Sequence, residues 1–168
     1  MTLRSERLDP ERHHVGGFSC GEPSLDAWLA EQAAPADARR TARTWVWADQ
    51  DGALVGYYAL AAHKVARDEI PGKVGRGGPV EIPAVLLARL ALSESLRGQG
   101  LGEVLVADAM QRVVDATQTV AARLVVVVDA LHERVARFYE SLGFRRIPGS
   151  LLLVQKVADI ELSLRRAD

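Results

Sequence analysis

The chain has 168 residues, 48% of them hydrophobic and 26% charged, with a net charge of -1. That length and balance fit a single folded domain, residues 1–168, with a substantial core, and exclude a disordered polar chain. No apolar run reaches membrane-spanning length, the N-terminus carries no secretory apolar core, and the lone Cys20 excludes an internal disulfide and a multi-cysteine metal site. The expectation is a cytoplasmic protein with no metal.

The first 17 residues are polar, with an edge strand expected around Leu3 to Leu8. Leu25, Trp28 and Leu29 recur at helical spacing behind Pro23, so a short amphipathic helix is predicted over 24–34. Cys20 reads as a small packed residue, because its neighbours supply no base. Residues 35–41 read as a loop or a further helical turn. Thr44 to Ala48 and Leu54 to Ala61 are strands, joined by a hairpin turn at Gln50-Asp51-Gly52-Ala53. Gly56 marks a bulge or a close approach in the second strand. Trp28, Trp45 and Trp47 read as packing residues before they read as platforms for stacked bases.

Seven glycines and prolines, from Pro71 to Pro83, punctuate residues 62–83. Little regular structure is expected through the middle. The segment is either a substrate-facing loop or a long connection, with His63 at its start. Leu86 to Leu92 is the central strand, interrupted by Arg89, which either reaches a ligand site or pairs with an acid. A polar turn, Ser93 to Leu96, leads to Arg97-Gly98-Gln99-Gly100-Leu101-Gly102 and a helix from Gly100 to about Thr117. That helix sets Val106, Met110, Val113 and Val114 against a polar stripe containing Asp108, Gln111, Arg112, Asp115 and Gln118. Arg123 to Asp129 reads as a buried parallel strand. A helix over His132 to Leu142 then presents Val135, Phe138, Tyr139 and Leu142 on one face and stops at Gly143. Strands at Phe144 to Ile147 and Leu151 to Val157, a turn at Pro148-Gly149-Ser150 and a helix over Asp159 to Arg166 complete the chain.

A strand feeding a glycine-bearing loop at a helix N-terminus is suited to an anion. Glycines let the backbone turn tightly, and the first-turn N–H groups and the dipole favour negative charge. Alone, this gives either a phosphate-bearing ligand or a helix start that is glycine-rich for folding reasons.

Two motifs together carry a resemblance. Arg97-Gly98-Gln99-Gly100-Leu101-Gly102 is similar to the acetyl-CoA loop of the GCN5-related N-acetyltransferase (GNAT) superfamily, and Phe138-Tyr139-Glu140-Ser141-Leu142-Gly143-Phe144 is similar to its later tyrosine element. The resemblance narrows to the acetyltransferase toxins of type II toxin–antitoxin systems. It rests there on Phe18-x-Cys20-Gly21, Leu25-Asp26-x-Trp28-Leu29, Arg43-Thr44, Gly56 to Leu60 and Pro83-x-x-x-Leu87-x-Arg89-Leu90-Ala91. It implies the GNAT fold, an α/β (α+β) architecture whose mixed central sheet has splayed central strands flanked by helices. It further implies acetyl-CoA as donor and the α-amino group of aminoacyl-tRNA as acceptor, with translation blocked. A ribbon-helix-helix antitoxin and a homodimer are the implied partners. The alternatives are an acetyltransferase of a small amine or protein amino group, and a catalytically weak protein that binds acetyl-CoA or an antitoxin.

The resemblance also assigns roles. Amides of Gly98, Gln99, Gly100, Leu101 and Gly102, with Arg97 nearby, would hold the diphosphate. Backbone groups of Leu90, Ala91 and Leu92 would hold the pantetheine. Tyr139, protonated near neutrality, would be the general acid. His63 and His132 are the candidate bases, though an aminoacyl ester amine needs no strong one. Seven basic residues lie between Arg39 and Arg76 against four acids. Of these, Arg39, Arg40, Arg43, Lys64, Lys73 and Arg76, with Arg89 beyond them, are the candidates for the RNA backbone.

Overall fold

A computed structural model describes residues 3–119 and 125–167. Seven strands form one sheet in the order β1-β2-β3-β4-β5-β7-β6, flanked by helices. The strands are β1 Glu6–Arg7, β2 Arg43–Ala48, β3 Leu54–Ala66, β4 Glu81–Leu92, β5 Val125–Asp129, β6 Arg145–Arg146 and β7 Leu152–Lys156. The helices are α1 Pro23–Glu31, α2 Ala33–Ala38, α3 Gly72–Gly75, α4 Leu101–Thr119, α5 Glu133–Ser141 and α6 Val157–Ala167. The described residues cluster into two compact units, 1–61 with 88–109 and 62–87 with 110–168.

In the first unit the Asp51-Gly52 hairpin forms as expected. Gly52 has φ +83°, and the Asp49 carboxylate accepts from the amides of Asp51 and Ala53. β2 and β3 pair antiparallel, with a register shift at Trp47/Ala48. Gly56 is a close approach, since a Cβ there would lie 3.3 Å from the Trp47 ring and 3.5 Å from the Ala91 carbonyl. The predicted helix over 24–34 breaks at Gln32 into α1 and α2, and the residues after 34 continue as helix to Ala38. Leu29, Ala33, Val46 and Tyr57 are buried in the core beneath them.

The second unit corrects the reading of residues 62–83. β3 runs on through Ala66, a 3₁₀ turn covers Arg67–Glu69, α3 follows, and β4 already starts at Glu81. Ile70, Val74 and Ile82 are buried against Val127 and Val154. The glycines and prolines therefore mark corners of a packed segment. Pro83 is exposed on β4 while its neighbours Ile82 and Ala84 are buried. β4 pairs with β5 in parallel from Ala84↔Val125 to Leu87↔Val128, then continues to Leu92. The first two residues expected in β5, 123 and 124, lie outside the described ones. On α5 the fully buried residue is Ala136, with Tyr139 beside it, and Val135, Phe138 and Leu142 are half-buried.

Candidate active site

β4 delivers its last residues to the glycine loop, and the Ser93-to-Leu96 turn pins that loop. Ser93 N–H donates to Val55 and Glu94 N–H to Ser19, each at 2.9 Å. The chain then passes Gly98 at φ +78° and Gly100 at φ +73°, a left-handed backbone that costs other residues about 1–2 kcal/mol. A Cβ at either glycine would meet nothing within 4 Å. Both are therefore required by the backbone path, and the space beside them is open. The first-turn amides of α4, from Leu101 onward, have no intrahelical acceptor. Open space, left-handed glycines and a helix N-terminus together fit a diphosphate.

Arg97, expected to add charge near the diphosphate, is anchored by the loop that precedes α1. Its Nη2 donates to the Cys20 carbonyl, and a side chain at Gly21, φ +91°, would collide with its guanidinium. Glu94 completes this clasp by accepting from Ser19 Oγ at 3.1 Å. The Cys20-Gly21 pair is thus explained by packing against the loop. Cys20 is buried, its thiol donates to the Glu22 carbonyl, and burial together with Asp26 pushes its pKa up to about 11. It is no thiolate nucleophile near neutrality. Ala91 is buried, while Leu90 and Leu92 are half-buried.

In the second unit Tyr139 is 5% exposed. Phe138 and Phe144 meet its ring edge-on, with centroids at 5.3 and 5.6 Å. Burial raises its phenol pKa above the ordinary value, which keeps the proton on. Gly143, φ +96°, ends α5 and lets Phe144 N–H return to the Tyr139 carbonyl at 3.1 Å. Arg146 ties Glu133 and Glu140 together at 2.5–2.8 Å beside a cavity of about 500 Å³ lined also by Gly149, Ser150 and Leu151. His132 precedes α5 without a side-chain cap bond, and His63 is exposed on β3.

The basic residues fall into different situations. Arg39 and Arg40 are exposed at the end of α2, and Arg40 takes φ +61°. Arg43 is spent on Asp37, which Arg7 also contacts at 2.7 Å. Lys64 faces Glu81 at 3.3 Å, Arg76 is exposed, and the Lys73 side chain lies outside the described ones. Arg89 makes no salt bridge among the described residues; it lies over Trp28. Trp28 and Trp45 stack on Tyr57 and Tyr58, and Trp47 is buried.

Three groupings escaped sequence reasoning because only the folded chain brings their side chains together. Asp108, placed in the polar stripe, accepts from Ser5 Oγ at 2.5 Å and Tyr58 Oη at 2.6 Å. Asp37 joins two arginines. His13 is buried, with Nδ1 accepting from Asp9 N–H and Nε2 facing Glu6, each at 2.9 Å. Among the described residues no cluster of His, Cys, Asp and Glu could hold a metal ion, and no helix is long and apolar enough to cross a membrane.

A family model described as an acetyltransferase (GNAT) domain matches residues 40–146. The chain belongs to the acetyltransferase (GNAT) family. It is 39% identical over 147 residues to the tRNA-acetylating toxin of Mycobacterium tuberculosis (strain ATCC 25618 / H37Rv), covering 86% of this chain and 87% of that protein. Among solved structures, AtaT complexed with acetyl-methionyl-tRNAfMet is similar with a TM-score of 0.87 and 30% identity, over 96% of this chain and 99% of that one. A tyrosine-to-phenylalanine mutant of the AtaT toxin, bound to the C-terminus of the antitoxin AtaR and acetyl-CoA, is similar with a TM-score of 0.80 and 30% identity, over 96% and 97% of the two chains. The GNAT match draws on residues of both compact units, and the mixed seven-stranded sheet flanked by helices is the architecture these toxin structures share with this chain.

Proposed function

We propose that residues 1–168 form one acetyltransferase domain that moves an acetyl group from acetyl-CoA to the α-amino group of aminoacyl-tRNA, and so stops translation as a toxin. The observation that carries this reading is the near-full-length similarity to a toxin structure holding acetyl-methionyl-tRNA. The open, doubly left-handed glycine loop at the start of α4 supports acetyl-CoA as the donor.

Acetyl-CoA would supply an activated acetyl thioester. The amides of Gly98, Gln99, Gly100, Leu101 and Gly102 would bind its diphosphate, and the main chain of Leu90, Ala91 and Leu92 would orient the pantetheine arm. A backbone N–H there would stabilise negative charge at the acetyl oxygen. Tyr139 keeps its proton on a buried phenol, which suits the general-acid role that the resemblance assigns to it. Arg39 and Arg40 are exposed cations suited to the RNA backbone, and Arg76 is exposed too; Arg43 and Lys64 would have to leave their carboxylates to join them. The partners in this reading are a ribbon-helix-helix antitoxin and a second copy of the chain, and the setting is the cytoplasm.

The test mixes purified protein, labelled acetyl-CoA, and charged or uncharged tRNA. Label on charged tRNA alone supports the reading. Label on neither, with acetyl-CoA still bound, removes aminoacyl-tRNA as the acceptor.

A further inference from the structure

Arg89 is a cation with no carboxylate partner among the described residues. It lies half-buried on β4, two residues before the buried Ala91. Its guanidinium carbon stands 5.3 Å from the Trp28 ring centre, and its Nη1 donates to the Ala88 carbonyl at 2.7 Å. No acid among the described residues forms an ion pair with it. Withdrawing a charge from water without a counter-charge is costly. One carbonyl and one aromatic face satisfy only part of a group with five N–H donors.

The platform beneath it is rigid. Trp28 stacks on Tyr57 at 6.1 Å with the rings 5° apart. Tyr57 Oη donates to the Leu25 carbonyl at 2.7 Å, which fastens α1 to β3, and Phe18 meets the Tyr57 ring edge-on at 5.6 Å. A guanidinium seated over an indole face, with one N–H given to a carbonyl, has further N–H donors for two-pronged capture of an oxyanion. The donor diphosphate already has its own cradle at the start of α4.

We propose that Arg89, seated on Trp28, anchors a phosphate of the acceptor RNA close to its aminoacyl end. This rests on the acceptor reading above. It makes Arg89 a specificity residue, distinct from the exposed arginines that attract RNA without orienting it.

The experiment compares wild type, Arg89→Gln and Arg89→Lys in steady-state acetylation of charged tRNA at several salt concentrations. Arg89→Gln should raise the KM for charged tRNA by about 10- to 100-fold, the loss of a charge-assisted hydrogen bond. Its KM for acetyl-CoA should stay within about twofold, and its salt slope should fall by about 0.7, one single-strand phosphate contact. Arg89→Lys keeps the charge but not the fork, so it should fall between. An unchanged tRNA KM and slope in folded Arg89→Gln overturns the inference, as does a rise confined to the acetyl-CoA KM. Should the glutamine variant not fold, a wild-type tRNA KM in Arg89→Lys overturns it equally. Wild type inactive on charged tRNA defeats the acceptor reading itself, a separate and recognisable result.

Discussion

Replacing Gly100 by Ala separates what the loop backbone needs from what the ligand needs. At φ +73° an alanine sits in the left-handed region, which costs about 1–2 kcal/mol. Nothing within 4 Å meets the new methyl group, so no steric term adds to that cost. For a chain of this length the melting temperature should drop by roughly 2–8 °C. Gly149 offers a matched control, with φ +74° and the same open surroundings. Gly149→Ala should lose similar stability. If the open space at Gly100 is where diphosphate oxygens approach the amides, the two variants diverge in titrations with acetyl-CoA. Gly100→Ala should bind about tenfold or more weakly, one charge-assisted hydrogen bond's worth, while Gly149→Ala keeps wild-type affinity. Equal affinity in both variants, with both folded, would refute the assignment of the loop.

Asp108→Ala removes the shared acceptor of two buried hydroxyls, Ser5 and Tyr58, and should cost about 2–4 kcal/mol in urea unfolding; a wild-type midpoint would mean that the carboxylate is solvated after all. Tyr139→Phe keeps the packed ring, so its melting point should stay near wild type while kcat falls by about 100-fold or more. Unchanged turnover in a folded variant takes the phenol out of the mechanism. The folded chain holds the Cys20 thiol proton up to about pH 11, against an unfolded value near 9.0, chiefly through burial. Stability from this group is therefore complete below pH 9 and lost as pH rises towards 11. Tyr57 and Tyr139, both raised by burial, extend the decline above pH 10. Urea midpoints followed from pH 8 to 11 should show it, Cys20→Ala should lose the part between 9 and 11, and a flat wild-type profile would contradict the burial argument.

Local rules carried much of this protein from residues alone. Asp51-Gly52 set a hairpin because the turn needs φ > 0 where glycine stands, and Asp49 caps it. The valine run of β5 and the apolar stripe of α4 were legible as periodicity, and the glycine loop was legible because a left-handed path before a helix admits few other residues. The same reliance on local signals misread residues 62–83. Glycine and proline mark where a chain can turn, but burial of Ile70, Val74 and Ile82 decides how much of it is ordered between the turns.

Side-chain partners were decided by the tertiary structure. Asp108 belongs to a polar stripe by helical spacing, yet Ser5 and Tyr58 bring it two hydroxyls from 103 and 50 residues away. Arg43 looks like a free cation until Asp37 meets it, and only the fold shows that Arg97 also donates to the Cys20 carbonyl. Arg89 was expected to reach a ligand site or pair with an acid, and only the fold set Trp28 beneath it. The difference is physical. Turn conformation and amphipathic period depend on a residue and its near neighbours, whereas the meaning of a charge depends on what stands within about 4 Å, and that is settled only when the sheet and helices pack.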